Sequence, residues 1–206
     1  MIAIIKYNAG NIRSVQDALS RLGYESIITD DKNEILAADK VIFPGVGEAS
    51  SAMTYLKKNG LDKVIVSIKK PFLGICLGLQ LMCEHSEEGN TKCLGIFNTT
   101  VKKFPPADKV PHMGWNNLGD ERGILFEGMQ SGSDVYFVHS YFAEINFQSI
   151  ASCNYIQVFS AAMQKDNFYA TQFHPEKSSD VGTQILKNFL SYENYTRNRH
   201  HRWQVR

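Results

Sequence analysis

Pro71-Phe72-Leu73-Gly74-Ile75-Cys76-Leu77-Gly78-Leu79-Gln80 is the stretch from which the rest of the chain can be read. Phe72–Ile75 is a short apolar run behind a proline, the pattern of a buried strand. The strand stops at a cysteine, and a helix begins at Leu77. Glycines stand two residues before and two after the sulfur. That is the form of a nucleophile elbow, a tight strand-to-helix turn that holds the nucleophile in a strained conformation while small neighbours let the chain pass closely. A helix N-terminus favours the thiolate through its dipole and unpaired N–H groups. The Leu77 N–H points toward an oxyanion formed beside the sulfur. The bland alternative is a buried apolar cysteine. Cys83, Cys93 and Cys153 lack the setting of a glycine on both sides at the end of a strand and read as that alternative.

Working outward, strand and helix alternate through the first hundred residues. Ile2–Ile5, Glu25–Thr29 and Lys40–Phe43 read as strands. Asn11–Leu22 carries apolar residues at 12, 15, 18, 19 and 22, a helical stripe that Gly23 ends. Glu48–Lys58 and Leu61–Lys69 read as helices. This order predicts a mainly parallel sheet covered by helices on both faces. From about Gly95 to Tyr155 the rhythm changes to short β-like runs such as Val135–Val138 and Ile150–Cys153, which suggests a more antiparallel portion. Asn167–Phe173 is a late strand, and Val181–Tyr192 is a closing helix. One domain over residues 1–195 is expected. A basic tail follows over 196–206, with four arginines between Arg197 and Arg206; it reads as a solvated chain end rather than a binding arm.

The bulk composition narrows the function. The chain has 206 residues, enough for one sizeable core. A formal net charge of +1 argues for neither nucleic acid nor a membrane surface. No apolar run approaches the ~20 residues of a membrane span. Met1 leads straight into a strand without a signal-peptide pattern, so a cytoplasmic protein is expected. The four cysteines have neither framework spacing nor a CxxC, so they read as reduced thiols and argue against zinc.

A second segment supplies partners for the sulfur. Gln172-Phe173-His174-Pro175-Glu176-Lys177 ends the late strand. His174 and Glu176 are two residues apart and would share a face in extended chain, while Pro175 removes a ladder donor and ends the strand. His174 is then the base for the thiol proton, and Glu176 holds its other ring nitrogen. The alternative is a histidine in a structural turn. His112 and His139 have no carboxylate nearby in sequence, and His85, His200 and His201 look superficial. Gln80 lies one helical turn beyond Cys76, on the same face, where its carboxamide meets either a ligand at the sulfur or solvent. Pro44-Gly45-Val46-Gly47 joins a buried strand to a helix and offers backbone N–H groups to a negative atom, either a phosphate or an oxyanion.

With these pieces in order, the chain resembles the class I glutamine amidotransferases, in which a G-x-C-x-G elbow and a late H-P-E carry a catalytic triad. Within them it resembles the glutaminase subunits of imidazole glycerol phosphate synthase. The supporting segments are Tyr7-Asn8-Ala9-Gly10-Asn11, Pro44–Gly47, Pro111-His112-Met113-Gly114-Trp115-Asn116, Phe137-Val138-His139-Ser140-Tyr141 and Gln172–Ser178. The His112–Asn116 run discriminates best, and the likeness extends to about Tyr192. Lys6 departs from the acidic residue that many relatives carry there.

The resemblance implies a flavodoxin-like α/β fold, no cofactor, and a (βα)8-barrel cyclase partner in histidine biosynthesis. It assigns Cys76, His174 and Glu176 to the triad, and Leu77, Val46 and Gly47 to the oxyanion site. Glutamine falls to Gln80, Glu88, Ser140 and Tyr141, and the partner interface to Met113, Trp115, Asn116 and Lys177. Three other readings compete: a stand-alone cysteine hydrolase, a catalytically silent scaffold protein, and a paralogue feeding ammonia to a sugar-modifying synthase.

Overall fold

The computed structural model describes residues 1–8 and 10–192; the basic tail lies outside the described residues. In the first half, β1 (Ile2–Ile5), α1 (Ile12–Arg21), β2 (Ser26–Thr29), α2 (Lys32–Ala37), β3 (Lys40–Phe43), α3 (Ala49–Lys58), α4 (Leu61–Ser67), β4 (Phe72–Ile75) and α5 (Leu77–Met82) follow one another. The middle holds β5 (His85–Ser86), β6 (Thr91–Lys92), β7 (Thr100–Lys103), β8 (His112–Asn117), β9 (Asp134–His139), β10 (Tyr141–Ala143), β11 (Ser149–Tyr155) and β12 (Gln157–Lys165). The chain then returns through β13 (Phe168–Thr171) to the closing helix α6 (Ser179–Ser191).

The main sheet has seven strands in the order β11-β12-β13-β4-β3-β1-β2. From β13 to β2 all neighbours are parallel, while β11 and β12 extend the sheet as an antiparallel hairpin. Side chains of a strand alternate between faces, and the buried strands separate their residues accordingly. Ile2, Ile4, Ile42, Leu73, Ile75 and Tyr169 pack on one face with α1 and α6. Ala3, Ile5, Val41, Phe43, Phe72 and Ala170 pack on the other with α2 to α5. The expected α/β architecture holds, and helices cover both faces.

Several expectations shift. Helix α2 has no counterpart in the sequence pattern: it is six residues long with a single buried apolar side chain, Ile35, too little for a stripe. What starts it is the Asp31 carboxylate, which accepts from the Asn33 and Glu34 N–H groups. Strands β8 and β12 also go beyond the expected elements. The antiparallel expectation is right for β8–β9 and β11–β12, but β5 and β7 pair in parallel. His174 and Glu176 do not lie in extended chain, because Pro175–Lys177 forms a 3-10 turn.

Strand order reverses between β1 and β3, and the loops at the carboxyl ends of β1, β3, β4 and β13 open on one edge of the sheet. That edge is where open α/β sheets bind ligands, and Cys76 lies on it.

Candidate active site

Cys76 is the residue between β4 and α5. Its backbone sits at φ 55°, ψ −107°, a conformation that costs a side-chain-bearing residue about 1–3 kcal/mol. Its N–H donates to the Thr171 carbonyl at 2.7 Å, which ties the turn to β13. Gly78 is required by close approach: a Cβ there would lie 1.9 Å from the Phe43 carbonyl oxygen. The elbow is therefore wedged between the ends of β3 and β13.

The structure brings Cys76, His174 and Glu176 together. His174 Nδ1 lies 2.8 Å from Glu176 Oε1, and each of the two side chains is 1% exposed. The turn, rather than an extended strand, makes the contact. Asn11 Nδ2 donates to the same carboxylate oxygen at 2.9 Å. His174 Nε2 is buried, has no nitrogen or oxygen partner among the described residues, and interacts with the Cys76 sulfur. Burial alone pushes the imidazole toward neutrality, but the sulfur and then the Glu176 carboxylate override it and raise its pKa to about 10. The arrangement favours the imidazolium form of His174 beside the sulfur. Burial raises the thiols that stand away from this site: Cys93 and Cys153 are pushed up to about 12, and Cys83 well above its ordinary range.

The oxyanion side is organised differently. The Leu77 N–H is not open: it donates to the Gly45 carbonyl at 3.2 Å. The Val46 carbonyl accepts from the Gly10 N–H at 3.1 Å, so the loop after β3 leans on the loop after β1. Gly47, at φ 144°, is exposed. In this geometry a carbonyl oxygen occupies the N–H that the resemblance assigns to the oxyanion site.

Gln80 is buried rather than solvent-facing. Its Nε2 donates to the Tyr141 carbonyl at 2.9 Å and to Gln172 Oε1 at 3.0 Å, and Gln172 Nε2 reaches the Cys76 sulfur at 3.6 Å. Among the described residues nothing donates to Gln80 Oε1, so that oxygen is the acceptor left for a ligand. Glu88 accepts from the Ala49 N–H at 2.8 Å, and burial raises its pKa. Glu88, Glu87 and Glu48 all act on the Tyr141 phenol, forming an acidic rim beside it. Ser140 is half-buried at the corner between β9 and β10. Next to it, the Val138 carbonyl lies 3.8 Å from the sulfur.

Three of the four expected interface residues lie on strand β8, which divides them between its faces. Met113 and Trp115 point outward, 61% and 55% exposed. Lys177 is also exposed, on the turn whose His174 N–H donates to the Tyr136 carbonyl of β9. Trp115 stands edge-on against the Tyr136 ring. Asn116 differs: its side chain turns inward, to the Asn154 carbonyl and to His112.

Sequence reasoning passes over Gln172, Asn11, His112, His139 and Tyr7 as site residues. All five stand inside the motifs that carry the resemblance, and that is the available signal. Tyr7 has a buried hydroxyl with no partner among the described residues, and burial and the nearby Cys76 charge raise its pKa.

Comparison with known proteins settles the family. The class-I glutamine amidotransferase family model matches residues 3–192. A protein from Bacteroides fragilis named imidazole glycerol phosphate synthase subunit HisH is 58% identical over 192 residues, covering 92% of this chain and 98% of that one. The chain belongs to this family. The Escherichia coli HisH protein is 44% identical over the same shares of the two chains. Among solved structures, the glutaminase domain of Trypanosoma brucei CTPS superposes with a TM-score of 0.66 at 16% identity, covering 93% of this chain and 94% of its own. PurLQS from Thermotoga maritima gives 0.70 at 16%, covering 93% of this chain and 97% of its own. These two support the amidotransferase fold and nothing narrower. Among the described residues no group of His, Cys, Asp and Glu could hold a metal ion, and no helix is long and apolar enough to cross a membrane.

Proposed function

We propose that this chain is the glutaminase subunit of an imidazole glycerol phosphate synthase. It hydrolyses L-glutamine to L-glutamate and passes the ammonia to a (βα)8-barrel cyclase subunit in a cytoplasmic heterodimer of histidine biosynthesis. HisH relatives at 44% and 58% identity support the pathway and disfavour the sugar-modifying paralogue, the stand-alone hydrolase and the silent scaffold. The observation that carries the chemistry is the buried His174–Glu176 pair at 2.8 Å with the Cys76 sulfur before its free nitrogen.

The steps follow from the groups present. Cys76 Sγ attacks the carboxamide carbon of glutamine as a thiolate, its proton already on His174 Nε2. Glu176, steadied by Asn11, keeps the imidazolium oriented and compensates its charge. The tetrahedral intermediate bears an oxyanion. Its donor is the Leu77 N–H, which becomes free only when the Gly45–Val46 peptide turns its carbonyl away. His174 gives its proton to the departing nitrogen, ammonia leaves, and a thioester remains. Water, deprotonated by His174, hydrolyses the thioester to glutamate and regenerates Cys76. Gln80 Oε1 suits the amide N–H of the substrate, and the acidic rim of Glu88 and its neighbours suits the α-ammonium, with Ser140 and Tyr141 closing the seat.

Met113, Trp115 and Lys177 form the docking face. Lys177 belongs to the His174 turn, and the His174 N–H ties that turn to Tyr136 of β9, so the face adjoins the catalytic turn; a partner seated there receives ammonia that would be protonated in bulk water. Asn116 supports this face from inside. The decisive experiment measures glutamate released from glutamine by the chain alone, and with the barrel cyclase and its ribotide substrate. Stimulation by both, with imidazole product formed in step, is expected. Stimulation only by a sugar-modifying synthase would keep the glutaminase and overturn the pathway.

A further inference from the structure

Two buried histidines that the mechanism does not use join the docking strand to the glutamine seat. His112, on β8, and His139, at the end of β9, are 4% and 6% exposed. His112 Nδ1 lies 3.0 Å from His139 Nε2. At the outer end, Asn116 Nδ2 lies 3.3 Å from His112 Nε2. At the inner end, His139 Nδ1 lies 2.7 Å from the Tyr141 carbonyl oxygen. That oxygen also accepts from Gln80, which donates to Gln172, whose amide reaches the Cys76 sulfur.

Backbone groups at both ends fix where the protons are. The Asn117 N–H donates to Asn116 Oδ1 at 2.9 Å, and Asn116 Nδ2 donates to the Asn154 carbonyl at 3.2 Å. An N–H cannot accept and a carbonyl cannot donate, so the Asn116 amide has one orientation and presents an N–H to His112. At the other end a carbonyl demands an N–H on His139 Nδ1. A neutral imidazole has one donor and one acceptor. One distribution alone satisfies every contact: both rings neutral, each with its proton on Nδ1. Burial keeps them neutral, lowering His112 to about 4 and His139 to about 3. Neither ring has room to turn. His112 stacks between Tyr155 and Phe137, at 4.0 and 4.7 Å between centroids, and His139 packs against Phe104 and Phe159.

We propose that His112 and His139 are positioning residues. They hold the Tyr141 carbonyl, and through it the Gln80 and Gln172 carboxamides, in the orientation that receives glutamine, with Asn116 setting the polarity of the chain from the docking strand. The proposal rests on the glutaminase reading for its substrate, but not for its proton order. A displacement of β8 by the partner is felt at Gln80 through three consecutive hydrogen bonds rather than through packing alone.

The test begins with 15N NMR of the imidazoles in the full chain at neutral pH. Both rings are expected to carry Nδ1–H with Nε2 bare. A proton on Nε2 of either ring, or a charged ring, overturns the proposal. Asn116→Asp replaces the outer donor by an acceptor and is expected to move the His112 proton to Nε2; an unchanged His112 tautomer overturns the outer link. The inner link is read kinetically in the complex with the cyclase. His139→Phe retains a ring but no donor, whereas His139→Asn restores an N–H near the position of Nδ1. His139→Phe is expected to raise KM for glutamine about tenfold, the effect of one neutral hydrogen bond, with a smaller fall in kcat and most of the KM effect recovered in His139→Asn. Equal KM values in the two variants overturn the inner link. If the native complex releases no glutamate, the glutaminase reading fails, and the tautomers still decide the relay.

Discussion

The two sides of the Cys76 sulfur are built to different degrees of completion. On the base side, the His174 turn is buried and closed on itself, with Glu176 accepting from both His174 and Asn11. On the oxyanion side, the loop after β3 is partly exposed, and the Gly45 carbonyl occupies the Leu77 N–H. Attack needs the first side and charge stabilisation needs the second. A chain that keeps its nucleophile ready and its oxyanion donor blocked can bind glutamine while wasting little of it. Under the proposed mechanism, turning the Gly45–Val46 peptide would free the Leu77 N–H, and a partner that turned it would couple turnover to the use of ammonia.

The comparison breaks most sharply if the base side is misassigned. Cys76→Ser is expected to lower glutaminase turnover by about a thousandfold or more, and His174→Ala to do comparable damage, because members of one catalytic unit are strongly non-additive. Glu176→Gln should be less damaging, since it disturbs orientation rather than removing the base. Cys83→Ser, Cys93→Ser and Cys153→Ser should retain activity. Glutamate release measures all six, and near-native turnover in Cys76→Ser would sink the nucleophile.

A second measurement separates the two sides. Alkylation of Cys76 by iodoacetamide needs the thiolate but no oxyanion donor. Adding the cyclase and ribotide should raise glutamine turnover by roughly a hundredfold, the scale of one oxyanion donor, while changing the alkylation rate by much less. Equal stimulation of both rates would mean that the partner acts on the base side instead.

Trp115→Ala probes the proposed docking face, where the indole stands against Tyr136. Loss of a buried aromatic anchor at an interface costs about 2 kcal/mol. Weaker association by light scattering, or more glutamate formed per imidazole product, is expected, with Cys76 alkylation unchanged. If both ratio and association match the native chain, this face leaves the scheme.

The smallest effect concerns pH. His112 and His139 are held neutral, with pKa values of about 4 and 3, against an unfolded value near 6.5. Below pH ~6.5 the unfolded chain binds more protons than the folded one, so their contribution is complete above that pH and falls away as the solution is acidified toward 4. His174 has the opposite sign: raised to about 10, its contribution is complete below ~6.5 and is lost as pH rises through 10. The groups facing His139 are His112, His174 and the Tyr141 carbonyl. Thermal unfolding at pH 7 and pH 5 should show a loss of a few degrees in the native chain and a smaller loss in His139→Asn. Identical losses would show that His139 titrates normally.

The primary sequence alone determined the alternation of buried strands and amphipathic helices, the elbow at Cys76 and the identity of its partners. These signals are local: glycines at fixed offsets from a cysteine, a proline ending a strand, an apolar stripe at helical spacing. A four-residue strand such as β4, buried on both faces, has little freedom to be anything else. The tertiary structure decided the rest. Helix α2 depends on one cap, and β12 pairs with β11 on one side and β13 on the other, so neither carries an apolar pattern strong enough to announce itself. His174 meets Glu176 through a turn that two-residue spacing does not specify. Asn116 and Trp115 are neighbours in sequence on opposite faces of β8, and Gln172 meets Gln80 across 92 positions. The direction of the Gly45 carbonyl and the protons on His112 and His139 are set by hydrogen bonds between distant segments. Residue identity supplies the donors and acceptors; only the folded chain decides which of them meet.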